Sequence, residues 1–273
     1  MPSLGAYGFR VVGVDGSADW LVPEPSDAPL LRLERTVGRL PERPPKVSER
    51  EIDLGLIEGV WLHAQAGSET VQFTAERPLE DAELVHPFLA PAAAVHWMWT
   101  GREAMHAGAV AVGTGALLLI GDKAAGKSTT LAHLAQSRGV GVLADDLAVL
   151  TPSLDVLAGP RCIDHRAEPD QTPRSHAVSA RGGTRHRQTL PPVQPRARVR
   201  GWVQLVWGES TELAPLDVVT RLKVLAGARR SRSLRGDPRT LLELASLPAY
   251  RLARPRALAA LAPAAELLLD AFA

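Results

Sequence analysis

The residues of this chain best suited to chemistry stand together in Gly121-Asp122-Lys123-Ala124-Ala125-Gly126-Lys127-Ser128, with Thr129 directly after. The spacing is G-x-x-x-x-G-K-[ST]. Its two glycines let the backbone curl until successive N–H groups face inward, and the start of a following helix adds roughly half a positive charge. A polyphosphate suits that environment. Residues 121–129 would cradle it, Lys127 would reach the β- and γ-phosphates, and the Ser128 hydroxyl would coordinate Mg²⁺. The chain has 23 glycines, but its lysines are only Lys46, Lys123, Lys127 and Lys223. With that composition the pattern arises by accident with a probability of about 0.003.

Two further groups join the loop. Residues 140–150 read as a buried apolar strand interrupted by Asp145 and Asp146. Adjacent carboxylates in an apolar strand are costly without a cation or donor beside them. Asp145 closes the apolar run and is the expected magnesium partner beside Ser128. Asp146 should point the other way if the strand continues, placed to take a proton from an incoming hydroxyl. His106 precedes an apolar run, and a glycine-containing turn at 113–115 joins that run to residues 116–120. Paired as a hairpin, the two runs carry His106 to the end where the glycine loop begins.

The elements that must hold these residues follow from periodicity. Residues 116–120 have strand length, and 129–138 carry Leu131, Leu134 and Ala135 on one helical stripe. Residues 1–88 read as a β-rich front unit, with strands at 9–14, 30–33, 59–64 and 70–74 and a proline-rich connection at 39–46. One or two helical turns are expected at 79–85 and a longer helix at 91–102, where Val95, Trp97, Met98 and Trp99 should pack as core. Later strands are expected at 154–157, 201–207 and 215–219, and helices at 221–228, 240–244 and 256–269. Residues 167–200, centred on the arginines of 181–187, read as a loop. Its arginines either contact phosphate and an acidic acceptor or simply face solvent.

Composition narrows the function classes. A net charge of +1 and a pI near 8.0 give no overall field for nucleic acid or an acidic membrane. The single cysteine, Cys162, fits a reducing compartment. No apolar run reaches the roughly 18 residues of a membrane span, and the expected location is cytoplasmic.

In combination, His106-Ala107-Gly108, the hairpin, the 121–128 loop and Leu143-Ala144-Asp145-Asp146 resemble the catalytic domain of HPr kinase/phosphorylase and its divergent relatives. The likeness covers roughly residues 86–160. It implies an α/β fold with a P-loop nucleotide-binding core of HPr kinase/PEP carboxykinase type over 89–273, beside the small β-rich unit at 1–88. It implies ATP and Mg²⁺, an assisting His106, a metal held by Ser128 and Asp145, and Asp146 as base toward an acceptor serine. Two features depart from the bifunctional enzymes: Gly159-Pro160-Arg161 occupies the neighbourhood of their Glu-Ile-Arg-Gly segment, and Lys123-Ala124 replaces their Ser-Gly. Short relatives with a Gly-Pro-Arg segment and a β-rich front resemble proteins encoded beside ribosomal-peptide pathways, such as lasso-peptide clusters. The expected acceptor is accordingly a peptide or small protein. A nucleotide-binding accessory protein without phosphotransfer and a small-metabolite kinase are the alternatives. The sequence leaves the oligomeric state, a homo-oligomer included, open.

Overall fold

The computed structural model describes residues 3–137, 139–166, 175–180, 183–231, 233–234 and 236–272. These form a mixed α/β architecture with three sheets. The front residues build an eight-stranded sheet in the order Val22–Glu24, Ser3–Ala6, Phe9–Val12, Leu30–Val37, Thr70–Ala75, Val60–Gln65, Glu51–Gly55, Lys46–Val47. Alternation decides which face goes inward: Leu31, Leu33, Val71 and Phe73 are buried, whereas Arg32, Glu34 and Gln72 are exposed.

That inner face packs on the helix Leu89–Trp99, whose first ten residues are all buried. A helix apolar on every side needs cover on every side. The front sheet supplies one cover, and Val149 and Leu157 of the second sheet, with Leu147 from the turn before Ala148–Leu150, join the same hydrophobic cluster. Trp97 stacks on Phe9 at 4.4 Å between ring centroids and donates its indole N–H to the Tyr7 carbonyl at 2.6 Å. Trp99 donates to the Ser48 carbonyl at 2.9 Å. The turns expected at 79–85 begin at Asp81–Glu83 and are broken at His86, whose φ of −153° and ψ of 120° are extended, before the longer helix Leu89–Trp99.

The second sheet has nine strands and carries the glycine loop. Ala107–Val112 and Gly115–Ile120 pair antiparallel across a two-residue turn, with Ala107 opposite Ile120. Arg196–Trp207 runs parallel to Gly115–Ile120 on its other side, and Ala249–Arg254 runs parallel to Arg196–Trp207. The helix Lys127–Leu134 lies so close to the sheet that a Cβ on Gly108 would stand 2.6 Å from Leu131 Cδ1.

Several expectations change. Residues 140–150 are two strands, Val140–Ala144 and Ala148–Leu150, because Asp146 adopts a left-handed φ of 71° between them. The segment read as a loop contains Ser175–Ala180 and Gly183–Thr189, paired with Cys162–His165 in a three-stranded sheet; Arg181 and Gly182 lie outside the described residues. In place of a strand at 215–219, Glu212–Pro215 is extended, and Asp217 caps the helix Val218–Ala228 by accepting from the Thr220 amide at 3.0 Å. No helix among the described residues is long and apolar enough to cross a membrane.

Glu24 links the fold to pH. It is buried, accepts the Gly8 amide at 3.0 Å, and burial raises its carboxyl from an ordinary 4.5 to about 7. The native state therefore holds a proton that the unfolded chain releases, so the stabilisation present below pH 4.5 is lost as pH rises through about 7. Glu24→Gln should flatten this fall in melting temperature between pH 5 and pH 8. An unchanged slope in the variant would contradict the assignment.

Candidate functional site

The Gly115–Ile120 strand delivers the chain into the loop at its carboxyl end. Ala124 and Gly126 take left-handed φ values of 69° and 88°, the alternation that turns successive amides toward one concavity. A Cβ on Gly126 would lie 2.3 Å from Arg254 Nη2, so a side chain there would force that guanidinium to shift. The helix begins at Lys127.

Lys127 is buried, and its ammonium donates to the Gly121 carbonyl at 2.7 Å, the Asp122 carbonyl at 3.2 Å and His106 Nε2 at 3.1 Å. Because an ammonium only donates, His106 Nε2 must accept, and the imidazole proton sits on Nδ1. That Nδ1–H faces the Asp146 carbonyl at 3.1 Å and its Oδ1 at 3.2 Å. Burial, then the neighbouring Lys127 charge, lowers the His106 pKa, in keeping with a neutral ring. Burial also lowers that of Lys127, while Asp146, Asp145 and Asp122 pull it back up.

Asp145 is buried and accepts the Ser128 hydroxyl at 3.0 Å. The two carboxylates thus serve different partners, but not through strand alternation. The left-handed turn at Asp146, closed by the Leu147 amide on the Asp145 carbonyl at 2.9 Å, redirects the second one toward His106. A hydroxyl and a carboxylate oxygen are hard donors, the set that suits Mg²⁺. Glu51, Asp53 and His63 of the front sheet also bring ligand atoms within 4.8 Å of one another. There, however, Arg43 and the Trp61 indole hold Asp53, and Lys46 holds Glu51 at 2.5 Å.

A cavity of about 790 Å³ opens over the loop. Of the sequence-predicted residues, His106, Lys123, Ala124, Gly126, Lys127, Ser128, Thr129 and Asp146 line it, whereas Gly121, Asp122, Ala125 and Asp145 do not. Arg185, one of the arginines of 181–187 read as contacting either phosphate or solvent, lines the cavity from the three-stranded hairpin sheet. Other walls were not foreseen: Ile57 and Glu58 reach in from the front unit, Trp207 and Arg254 from strand ends, and Arg256 from just beyond the second of these. Arg187, grouped by sequence with possible phosphate contacts, is instead a buried brace. It forms a two-point ion pair with Asp164 at 2.7 and 2.9 Å and donates to the Ala82 and His86 carbonyls, both at 2.6 Å. This ties the strand that also carries Arg185 to residues 82–86 ahead of the buried helix Leu89–Trp99.

No protein-family model matches the chain, and no curated protein does. Among solved structures, the Hpr(Ser) kinase/phosphatase from Coxiella burnetii shows a distant likeness. It covers 62% of this chain and 96% of that one, at 13% identity and a TM-score of 0.35.

The backbone at Gly126 gives a direct test. Gly126→Ala should lower unfolding free energy by about 1–3 kcal/mol through its left-handed φ and the crowding against Arg254. Gly227→Ala, in a helix with open space around it, should instead raise it by about 0.5–1 kcal/mol. Urea midpoints that move together would contradict this account of the loop.

Proposed function

We propose that the chain is an ATP- and Mg²⁺-dependent kinase that transfers the γ-phosphoryl group to a serine hydroxyl of a peptide or small protein. The observation that carries this reading is the convergence of two carboxylate pairs on one glycine-bounded loop: Asp145 with Ser128, and Asp146 with His106. The motif resemblance to HPr kinase-type cores is its second support. Each residue then has a distinct task. Loop amides and Lys127 hold the phosphate tail, Lys127 exchanging its carbonyl partners for phosphate oxygens. Ser128 and Asp145 would hold the magnesium ion, which supplies charge neutralisation across the phosphates when bound.

Asp146 accepts the proton of the acceptor hydroxyl as the new O–P bond forms and the bond to ADP breaks. His106, neutral and donating through Nδ1, orients that carboxylate without protonating it. The loop's 790 Å³ cavity, walled by the front unit and the hairpin sheet, leaves space for an acceptor segment beside a nucleotide.

With radiolabelled ATP and a serine-containing peptide library, Lys127→Ala should lose transfer. Asp146→Asn should bind Mg·ATP within a few-fold of wild type and lose about 10²–10⁴ in transfer rate. Phosphoserine detected by mass spectrometry is the positive result. Undiminished transfer by Asp146→Asn would remove the base from the mechanism.

A further inference from the structure

Arg254 is 3% exposed, yet it lines the cavity at the rim of the glycine loop. Among the described residues its guanidinium makes no ion pair, and its hydrogen bond runs from Nη2 to the Thr130 hydroxyl at 3.2 Å. Its Nε is buried without a partner. The group lies over the Trp207 ring, 4.6 Å from the centroid. Burial lowers its pKa, with no carboxylate acting against that shift.

Arg187 shows what a buried guanidinium normally has: the same near-complete burial, with Asp164 across from it and two carbonyls completing its fork. A guanidinium carries five N–H donors and cannot escape its charge by losing a proton. Burying one without an anion is costly, and a fold keeps such a group where an anion arrives from outside. At Arg254 the arrival point is defined, because Nη2 sits 2.3 Å from where a Gly126 Cβ would be, at the start of the Lys127–Leu134 helix.

We infer that Arg254 is an anion-binding residue that grips the phosphate chain of the nucleotide from the Trp207 side of the loop, while Lys127 takes it from the His106 side. This rests on the phosphate-loop reading above. Planar, two-point contact is what phosphate oxygens offer a guanidinium and what the single Thr130 hydroxyl cannot.

The test is calorimetry of the full chain with Mg·ATP and, separately, with Mg·pyrophosphate, together with ligand-free melting. Arg254→Met should weaken both ligands by about 10- to 100-fold, the loss expected for a charged hydrogen-bonding group. It should melt at or above wild type, because an uncompensated buried charge has gone. Arg254→Lys keeps the charge without the fork and should fall between the two in affinity. Wild-type affinity in Arg254→Met while Lys127→Ala loses both ligands would overturn the inference and leave the loop reading standing. So would weakened ATP with undiminished pyrophosphate, which would place Arg254 at the nucleoside, and so would a lower ligand-free melting temperature, which would make it a brace for Trp207. Failure of the wild-type chain to take up either ligand would overturn both.

Discussion

A buried ammonium has to place every N–H on an acceptor, and Lys127 finds its acceptors in the Gly121 and Asp122 carbonyls and the His106 ring. Much of the site follows from that requirement. It sets which ring nitrogen of His106 carries the proton, and therefore which one turns to Asp146. It also ties the loop shut on itself, with the lysine held on two neutral carbonyls that, in the proposed reading, better acceptors replace. Phosphate oxygens are such acceptors, since hydrogen bonds between two charged groups are roughly twice as strong as neutral ones.

The fold serves that arrangement by bringing three chain segments to one end of a sheet. Pairing Ala107 with Ile120 puts His106 where the loop begins, and pairing Ala109 with Ala144 brings the end of the Val140–Ala144 strand alongside. The helix Leu89–Trp99, apolar all round, joins the front sheet to the second sheet through one shared core. Through that core the front unit presents Ile57 and Glu58 to the cavity, and the buried Arg187–Asp164 pair presents the hairpin sheet. The walls of the cavity thus come from parts of the chain far apart in sequence.

The hairpin and loop were legible because their signals are local: two apolar runs, a glycine turn between them, and a motif whose residue types each answer a need of phosphate. His106 was legible through register alone. Asp146 does part from Asp145, but strand alternation is not the cause: an aspartate after an apolar run looks like continuing strand, and only the backbone shows the left-handed φ that redirects it. The strands Gly183–Thr189 and Ala249–Arg254 were hidden by arginine, and Ser175–Ala180 by its short sequence, half of it polar. A strand that spaces Arg among Thr and His, or among Leu and Ala, resembles a solvated loop when arginine is abundant throughout. Arg187 and Arg254 were hidden for the same reason, although both are buried and only one has a carboxylate across from it.

The central claim is that the carbonyl-bound lysine is the resting form of a polyphosphate grip. The most direct measurement is a crystal structure with Mg²⁺ and a non-hydrolysable ATP analogue. The account predicts Lys127 Nζ transferred from the Gly121 and Asp122 carbonyls to phosphate oxygens, with the ion bound between Ser128 and Asp145. An analogue lodged elsewhere in the molecule, with Lys127 still on those carbonyls, would contradict it.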